Sequence, residues 1–342
     1  MLFYKFLLIS IIKFKKYVSK NNILDTKALF ISNAGIGDTI YLLSALQNYK
    51  ELTGVKADIL IPQSSKDLLY NSDCVNEIFI INDHQQINFK QYKYIFSNRT
   101  DITNLIEVIK SGFSNIFIEN PNYEKLRLIS RLRCLISQKY KKKYFSNFHA
   151  GLLFNNVLKD IFKSEISFPK PIIKSKRPTS IKINNFLNEN NRYGILHVAG
   201  KDQIRKLNPE LIFNLTENIQ EPVILVGSEF DLKLYSGIEF GKSVYNGIAE
   251  FNLNEVLYLL ENASFCIAPD SSIMHLASLT KTRLIGLMGN ALEETFGPIF
   301  SSNKTILSRK ANCSPCSKNI CRKFNDHSCV QDITLGEIVN TI

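Results

Sequence analysis

Nothing near the N-terminus is both long and apolar enough to cross a bilayer: the stretch from Phe6 to Ile12 lies between Lys5 and Lys13, where a spanning helix needs about 20 residues. No small-residue cleavage site follows it, so a secretory signal is not expected either. The seven cysteines then point to a reducing compartment and away from a disulfide scaffold. RNA-binding aromatic signatures, helix-turn-helix patterns and C2H2 spacing are absent, which disfavours nucleic acid as a partner. No solenoid repeat and no long low-complexity tract is present.

What the chain does have is unevenly placed charge. Residues 1–170 hold 24 Lys+Arg against 14 Asp+Glu, and the rest hold 18 against 17. The basic half is expected to face an anionic membrane surface or an acidic substrate, the plain alternative being a solvated basic face. Residues 1–26 begin "MLFYKFLLISIIKFKKYVSK", a basic amphipathic segment that suits an interfacial membrane helix or a packing helix. The expected location is cytoplasmic, peripheral on the inner face of the cell membrane.

Short apolar runs alternate with helix-length segments: 28–32, 57–61, 77–81, 93–97 and 115–118, then 193–198, 222–227, 264–268 and 283–289. Such runs predict parallel sheets covered on both faces. Between the two series, "KSEISFPKPIIKSKRPTS" carries Pro169, Pro171 and Pro178 and reads as a linker. The expected organisation is the 1–26 segment, an α/β domain over 27–165, a linker over 166–180 and a second α/β domain over 181–342. Two doubly wound Rossmann-like domains facing a central cleft would bind ligands beyond the carboxyl ends of their strands.

Three stretches carry chemistry. In "NAGIGDTIYLLSAL", Gly35 and Gly37 are expected to turn the chain with positive φ and admit a substrate to the backbone. Ile40 stands where a dinucleotide fingerprint needs its third glycine, and no Gly-Lys-Ser/Thr follows. Asp38 reads as a general base at a helix N-terminus or as a plain N-cap. In "APDSSIMHLASL", Asp270, Ser271 and Ser272 open a helix, the serines suiting a phosphate and Asp270 suiting sugar hydroxyls. His275 follows as a site residue or a core histidine. In "HVAGKDQIRKLNPE", a loop carries Lys201, Arg205 and Lys206, either to neutralise a diphosphate or as solvated cations, and Asn208-Pro209 looks like a helix start. Cys313, Cys316, Cys321 and Cys329 are spaced C-x2-C-x4-C-x7-C, with His327 beside them. They would hold a structural zinc or an iron-sulfur cluster, or else be reduced structural thiols or an optional disulfide.

Together with "VILVGSEFD" and "CSPCSKNICRKFNDHSCV", these stretches stand in the order and at roughly the separations found in glycosyltransferase family 9, which the chain resembles from about Lys27 to Ile342. These are the heptosyltransferases of lipopolysaccharide core assembly. The resemblance implies a GT-B fold and an inverting, metal-independent transferase that needs no cofactor; the absence of any Asp-x-Asp pair agrees with this. By motif position, Asp38 matches the family's general base and Lys206 its diphosphate lysine. Asp270, Ser271 and Ser272 match its sugar and phosphate turn, and His275 the histidine of that motif. Glu229 stands where the family often has an acidic residue near the nucleoside ribose, with Asp231 a close rival, and Gly227 is counted among the donor-binding residues. The implied donor is ADP-heptose and the implied acceptor an anionic glycolipid of lipopolysaccharide core type, which suits "KYKKKY" at 139–144. Two departures stand out: Ser44 replaces a usual proline, expected to be structural, and Ser272 a usual glycine. Two other readings use the same residues: a non-enzymatic metal- and nucleic-acid-binding protein, or an inactive family member that binds a nucleotide.

Overall fold

The computed structural model describes residues 27–32, 35–69, 72–83, 87–99, 116–118, 149–198, 203–289, 291–309, 321 and 329–342. The amphipathic segment 1–26 and the lysine run 139–144 lie outside them. The chain divides into two compact units, Met1–Pro171 and Ile172–Ile342.

The first unit is built on a parallel sheet of β1 (Ala28–Ser32), β2 (Ala57–Ile61), β3 (Val75–Ile80), β4 (Tyr94–Arg99) and β5 (Ile116–Ile118), in the order β3-β2-β1-β4-β5. β1 is central and every residue of it is buried, which is why its sequence is an unbroken apolar run rather than an alternation. Helices α1 (Ile36–Thr53) and α2 (Leu153–Phe162) cover it. Phe30 of β1 stacks on Phe96 at 4.4 Å and meets Tyr49 of α1 and Phe154 of α2 edge-on at 5.7 and 5.9 Å. Each such ring contributes about 1.5–3 kcal/mol by burial.

The seam between α1 and α2 is polar. Asn48 Nδ2 donates to Asn155 Oδ1 at 2.5 Å and to the Ser167 carbonyl at 2.8 Å, while Asn155 Nδ2 donates to Ser44 Oγ at 3.2 Å. Ser44, the departure from proline, therefore supplies the acceptor that Asn155 needs inside the core.

The second unit contains β6 (Gly194–His197), β7 (Val223–Val226), β8 (Val244–Asn246), β9 (Phe265–Pro269), β10 (Arg283–Met288) and β11 (Lys304–Ser308), all parallel, in the order β11-β10-β9-β6-β7-β8. Its helices are α3 (Ile181–Glu189), α4 (Pro209–Asn218), α5 (Glu229–Tyr235), α6 (Leu253–Asn262), α7 (Ser272–Ala277), α8 (Glu293–Phe296) and α9 (Leu335–Val339). Leu196, Leu225, Ile267 and Ile285, from four successive neighbours in the sheet, meet in one core with Ile212 and Leu215 of α4 and Ile338 of α9.

Both sheets wind the same way. The first strand of each unit is central, later strands add on one side, and the direction then reverses, between β1 and β4 and between β6 and β9. Turns at the carboxyl ends of those strand pairs are where such sheets hold ligands.

Residues 164–180 have no regular structure. They are nonetheless tied down: Asn254 Nδ2 of α6 donates to the Lys174 carbonyl at 2.7 Å, the Lys176 N–H donates back to the Asn254 carbonyl at 3.0 Å, and Ser175 Oγ donates to Glu261 at 2.6 Å. Lys174–Lys176 thus belong to the second unit, and Ser167 to the first. Among the described residues no helix is long and apolar enough to cross a membrane.

Replacing Asn155 with leucine leaves the Ser44 hydroxyl without its donor and Asn48 without one acceptor. The expected cost is about 1–3 kcal/mol, read from denaturant unfolding; a change below about 0.5 kcal/mol, the scatter of neutral surface substitutions, would show the seam to be dispensable.

Candidate functional site

In the first unit, the turn after β1 leads directly into α1. Gly35 is the N-cap, with φ −71° and ψ 175°, and Gly37 lies inside the first turn of the helix. The expectation of positive φ at these glycines is corrected here: the described glycines with positive φ are Gly54 and Gly237. A Cβ built on Gly35 would stand 4.0 Å from Asp38 Oδ2, an ordinary van der Waals separation, so neither dihedral nor space demands glycine there. Asp38 is the third residue of α1, not its N-cap, and is exposed. The next residue, Thr39, anchors the turn: it is buried, with its N–H on the Gly35 carbonyl at 3.2 Å and its hydroxyl on Ser65 Oγ at 3.2 Å. An exposed carboxylate on a pinned first turn, beside the β1–β4 crevice, can take a proton from a ligand there.

In the second unit, two side-chain pairs, Arg205 with Asp270 and His197 with Ser271, join the segments that follow β6 and β9. After β6, buried Ile204 and Leu207 pin a short turn and hold Arg205 and Lys206 between them, and Asn208 then caps α4, accepting the Glu210 N–H at 3.0 Å. Arg205 Nη1 lies 3.5 Å from Asp270 Oδ2 and donates to the Asp270 carbonyl at 3.4 Å. Asp270 itself is buried directly beyond β9, its N–H on the Leu287 carbonyl at 3.0 Å. The negative charge that would repel an anion from this turn is therefore compensated by a guanidinium, while Lys206 remains half-buried.

Ser271 caps α7 by position, yet its side chain makes no capping bond. Instead Ser271 Oγ lies 3.1 Å from Nδ1 of His197, the last residue of β6. Burial pushes His197 down to about 4, with the Asp231 carboxylate pulling weakly the other way, so its ring is neutral at physiological pH. His197 had no assigned role in the sequence; its signal was its place at the end of a first strand. α7 is buried on every side, His275 included, rather than on one stripe of Ile273, Leu276 and Ala277.

At the neighbouring turn after β7, Gly227 is required by close approach: a Cβ there would lie 2.9 Å from Val198 Cγ2 and 3.3 Å from Asp231 Oδ2. Of the two rival carboxylates, Asp231 is buried and bonded to the Ser228 N–H and hydroxyl, both at 2.8 Å, closing a capping box on α5. Glu229 is exposed at the first position of the same helix.

Lys201, Cys313, Cys316 and His327 lie outside the described residues. Cys321 is half-buried and Cys329 buried, and Cys329 packs where a Cβ on Gly289 would come within 2.6 Å. Among the described residues no group of three or more metal-ligating side chains gathers.

The low value of His197 makes stability depend on pH. Below 6.5, its ordinary value, the unfolded chain takes up a proton that the folded chain refuses until about pH 4. Stability therefore falls as pH drops through this window, by about 3 kcal/mol in total. Denaturant unfolding at pH 7, 6 and 5 should show this slope, and His197→Gln should lower it; an unchanged slope would contradict a buried neutral ring.

No curated protein sequence matches the chain. Residues 166–325 match the family glycosyltransferase family 9 (heptosyltransferase). Among solved structures, a family 9 glycosyl transferase from Veillonella parvula is similar at 12% identity and TM-score 0.71, over 94% of this chain and 97% of that one. The E. coli ADP-heptose lipopolysaccharide heptosyltransferase II gives 12%, 0.61, 92% and 96%. The iron-containing dodecameric glycosyltransferase TibC of enterotoxigenic E. coli gives 12%, 0.59, 94% and 77%. At such identities the structures speak for the fold, and the matched segment speaks for the class of chemistry. The protein has the GT-B fold, and with a glycosyltransferase family 9 domain over residues 166–325 it is a glycosyltransferase.

Proposed function

We propose that this glycosyltransferase moves a heptose from ADP-heptose to a hydroxyl of an anionic glycolipid of lipopolysaccharide core type, with inversion and without a catalytic metal. The observation that carries this reading is the arrangement at the β6–β9 crevice, where Arg205 compensates buried Asp270 beside the Ser271 and Ser272 turn; Lys206, next to Arg205 in the chain, is the cation we assign to the diphosphate. One of the structural neighbours is an ADP-heptose enzyme, and another is heptosyltransferase WaaC with ADP.

In this mechanism Asp38 accepts the proton of the acceptor hydroxyl as its oxygen bonds to the anomeric carbon. The bond from that carbon to the diphosphate oxygen breaks with its electron pair, and the charge that develops on the departing ADP is met by Lys206 and the Ser271 hydroxyl. Glu229, exposed at the start of α5, takes the ribose hydroxyls in this reading. The basic character of residues 1–170 suits a phosphorylated acceptor on the inner membrane surface. One neighbour, TibC, contains iron; in this chain Cys321 and Cys329, with Cys313 and Cys316 outside the described residues, are the residues that would hold a structural metal, and no step of transfer runs through it.

Asp38→Asn is expected to lower transfer from ADP-heptose by about 10²–10⁴-fold while ADP affinity stays within about twofold, a change under 0.5 kcal/mol. Release of ADP in the presence of a core acceptor reads the first and titration calorimetry the second. Turnover near that of the unchanged protein would remove Asp38 from the role of base; equal loss of both would make its role structural.

A further inference from the structure

We propose that His197 is the positioning residue of the diphosphate subsite: its Nδ1–H donates to Ser271 Oγ and so turns the single Ser271 hydroxyl proton outward, onto a phosphate oxygen of the bound nucleotide. The inference rests on the nucleotide reading above and adds a residue to it.

The argument is one of proton count. A serine hydroxyl has one proton and two lone pairs. If Ser271 spends its proton on His197, it presents only lone pairs to an anion, and those repel it. If His197 donates instead, the same hydroxyl becomes a donor where a donor is needed. The 3.1 Å separation permits either direction, and a neutral imidazole chooses between them by its tautomer. A site built for an anion selects the Nδ1–H form.

The surroundings suit such a device. His197 closes β6 and is buried, so the ring cannot swing to water. Ser271 forgoes the capping bond that its position offers, although Asn208, Asn252 and Thr334 all make theirs at the starts of α4, α6 and α9. Its carbonyl accepts from the His275 N–H, and the Asp270 N–H is held by Leu287, so the turn is fixed on both sides of the hydroxyl. The donor in question is the side chain and not the helix terminus, since α7 has only six residues. The low proton affinity of His197, caused by burial, keeps the ring neutral and tautomeric across the working range of pH.

The test is a double-mutant cycle on ADP binding by the full chain. His197→Leu is expected to weaken ADP about tenfold, the worth of one hydrogen bond to a charged group, but to cost less than about twofold when Ser271 is already alanine. His197→Asn, whose amide can donate from nearly the same place, should keep affinity within about threefold. Equal losses from His197→Leu with and without the Ser271 hydroxyl would overturn the inference while leaving the nucleotide site standing. Failure of the unchanged protein to bind ADP at all would overturn both. A second readout needs no substitution: ¹⁵N shifts of His197 in the ADP complex should show Nδ1 protonated and Nε2 bare, and the opposite tautomer would contradict the proposal.

Discussion

A carboxylate taken out of water costs several kcal/mol unless a cation and good donors meet it, and in the second unit that condition is satisfied for Asp270 by Arg205. Much at this end of the sheet follows from the pair. Asp270 is buried directly beyond β9 because its N–H extends the ladder to Leu287, and Arg205 reaches it because Ile204 and Leu207 bury on either side of the turn after β6. Once the charge is met, the neighbouring Ser271 hydroxyl, paired with His197, lies beside a carboxylate that a guanidinium compensates. The proposed anion site rests on that compensation.

The first unit solves the same problem at its opposite edge. Asp58 is buried at the amino end of β2, where Tyr92 and Asn76 donate to it at 2.9 and 2.7 Å and Lys27 stands 3.3 Å away. That cluster ties the starts of the strands together, and burial, followed by the bonded Asp58 carboxylate, pushes the Tyr92 hydroxyl well above its ordinary range. Asp38, by contrast, is exposed beside the carboxyl end of β1, the central strand at which the sheet reverses. Two acids in one domain are thus separated by topology, one buried at the amino end of its strand and one exposed after the carboxyl end of β1.

The central strands were legible because burial on both faces leaves an apolar run with nothing to imitate it, and β1, β2 and β10 fall where those runs are. β8 and β11 were not read from the sequence. Both are sheet edges, covered less completely and therefore under weaker demand for apolar residues: "VYN" and "KTILS" are each only half-buried or exposed. The motifs put Asp38 after the first strand, Lys206 after β6 and Asp270 and Ser271 after β9, and the elements fall in that order. Motif spacing misjudged the glycines, because the letter does not say whether a left-handed dihedral requires it. It left Glu229 and Asp231 as rivals, which only the capping box separates, and it could not see that Arg205 pairs with Asp270 or His197 with Ser271, contacts that span 65 and 74 residues.

The measurement that bears most directly on the account is equilibrium binding of ADP, UDP, GDP and CMP to the purified full chain, with and without EDTA. The account predicts that ADP binds best and that the chelator changes nothing. No binding by a folded sample, or a nucleotide affinity that EDTA abolishes, would contradict it.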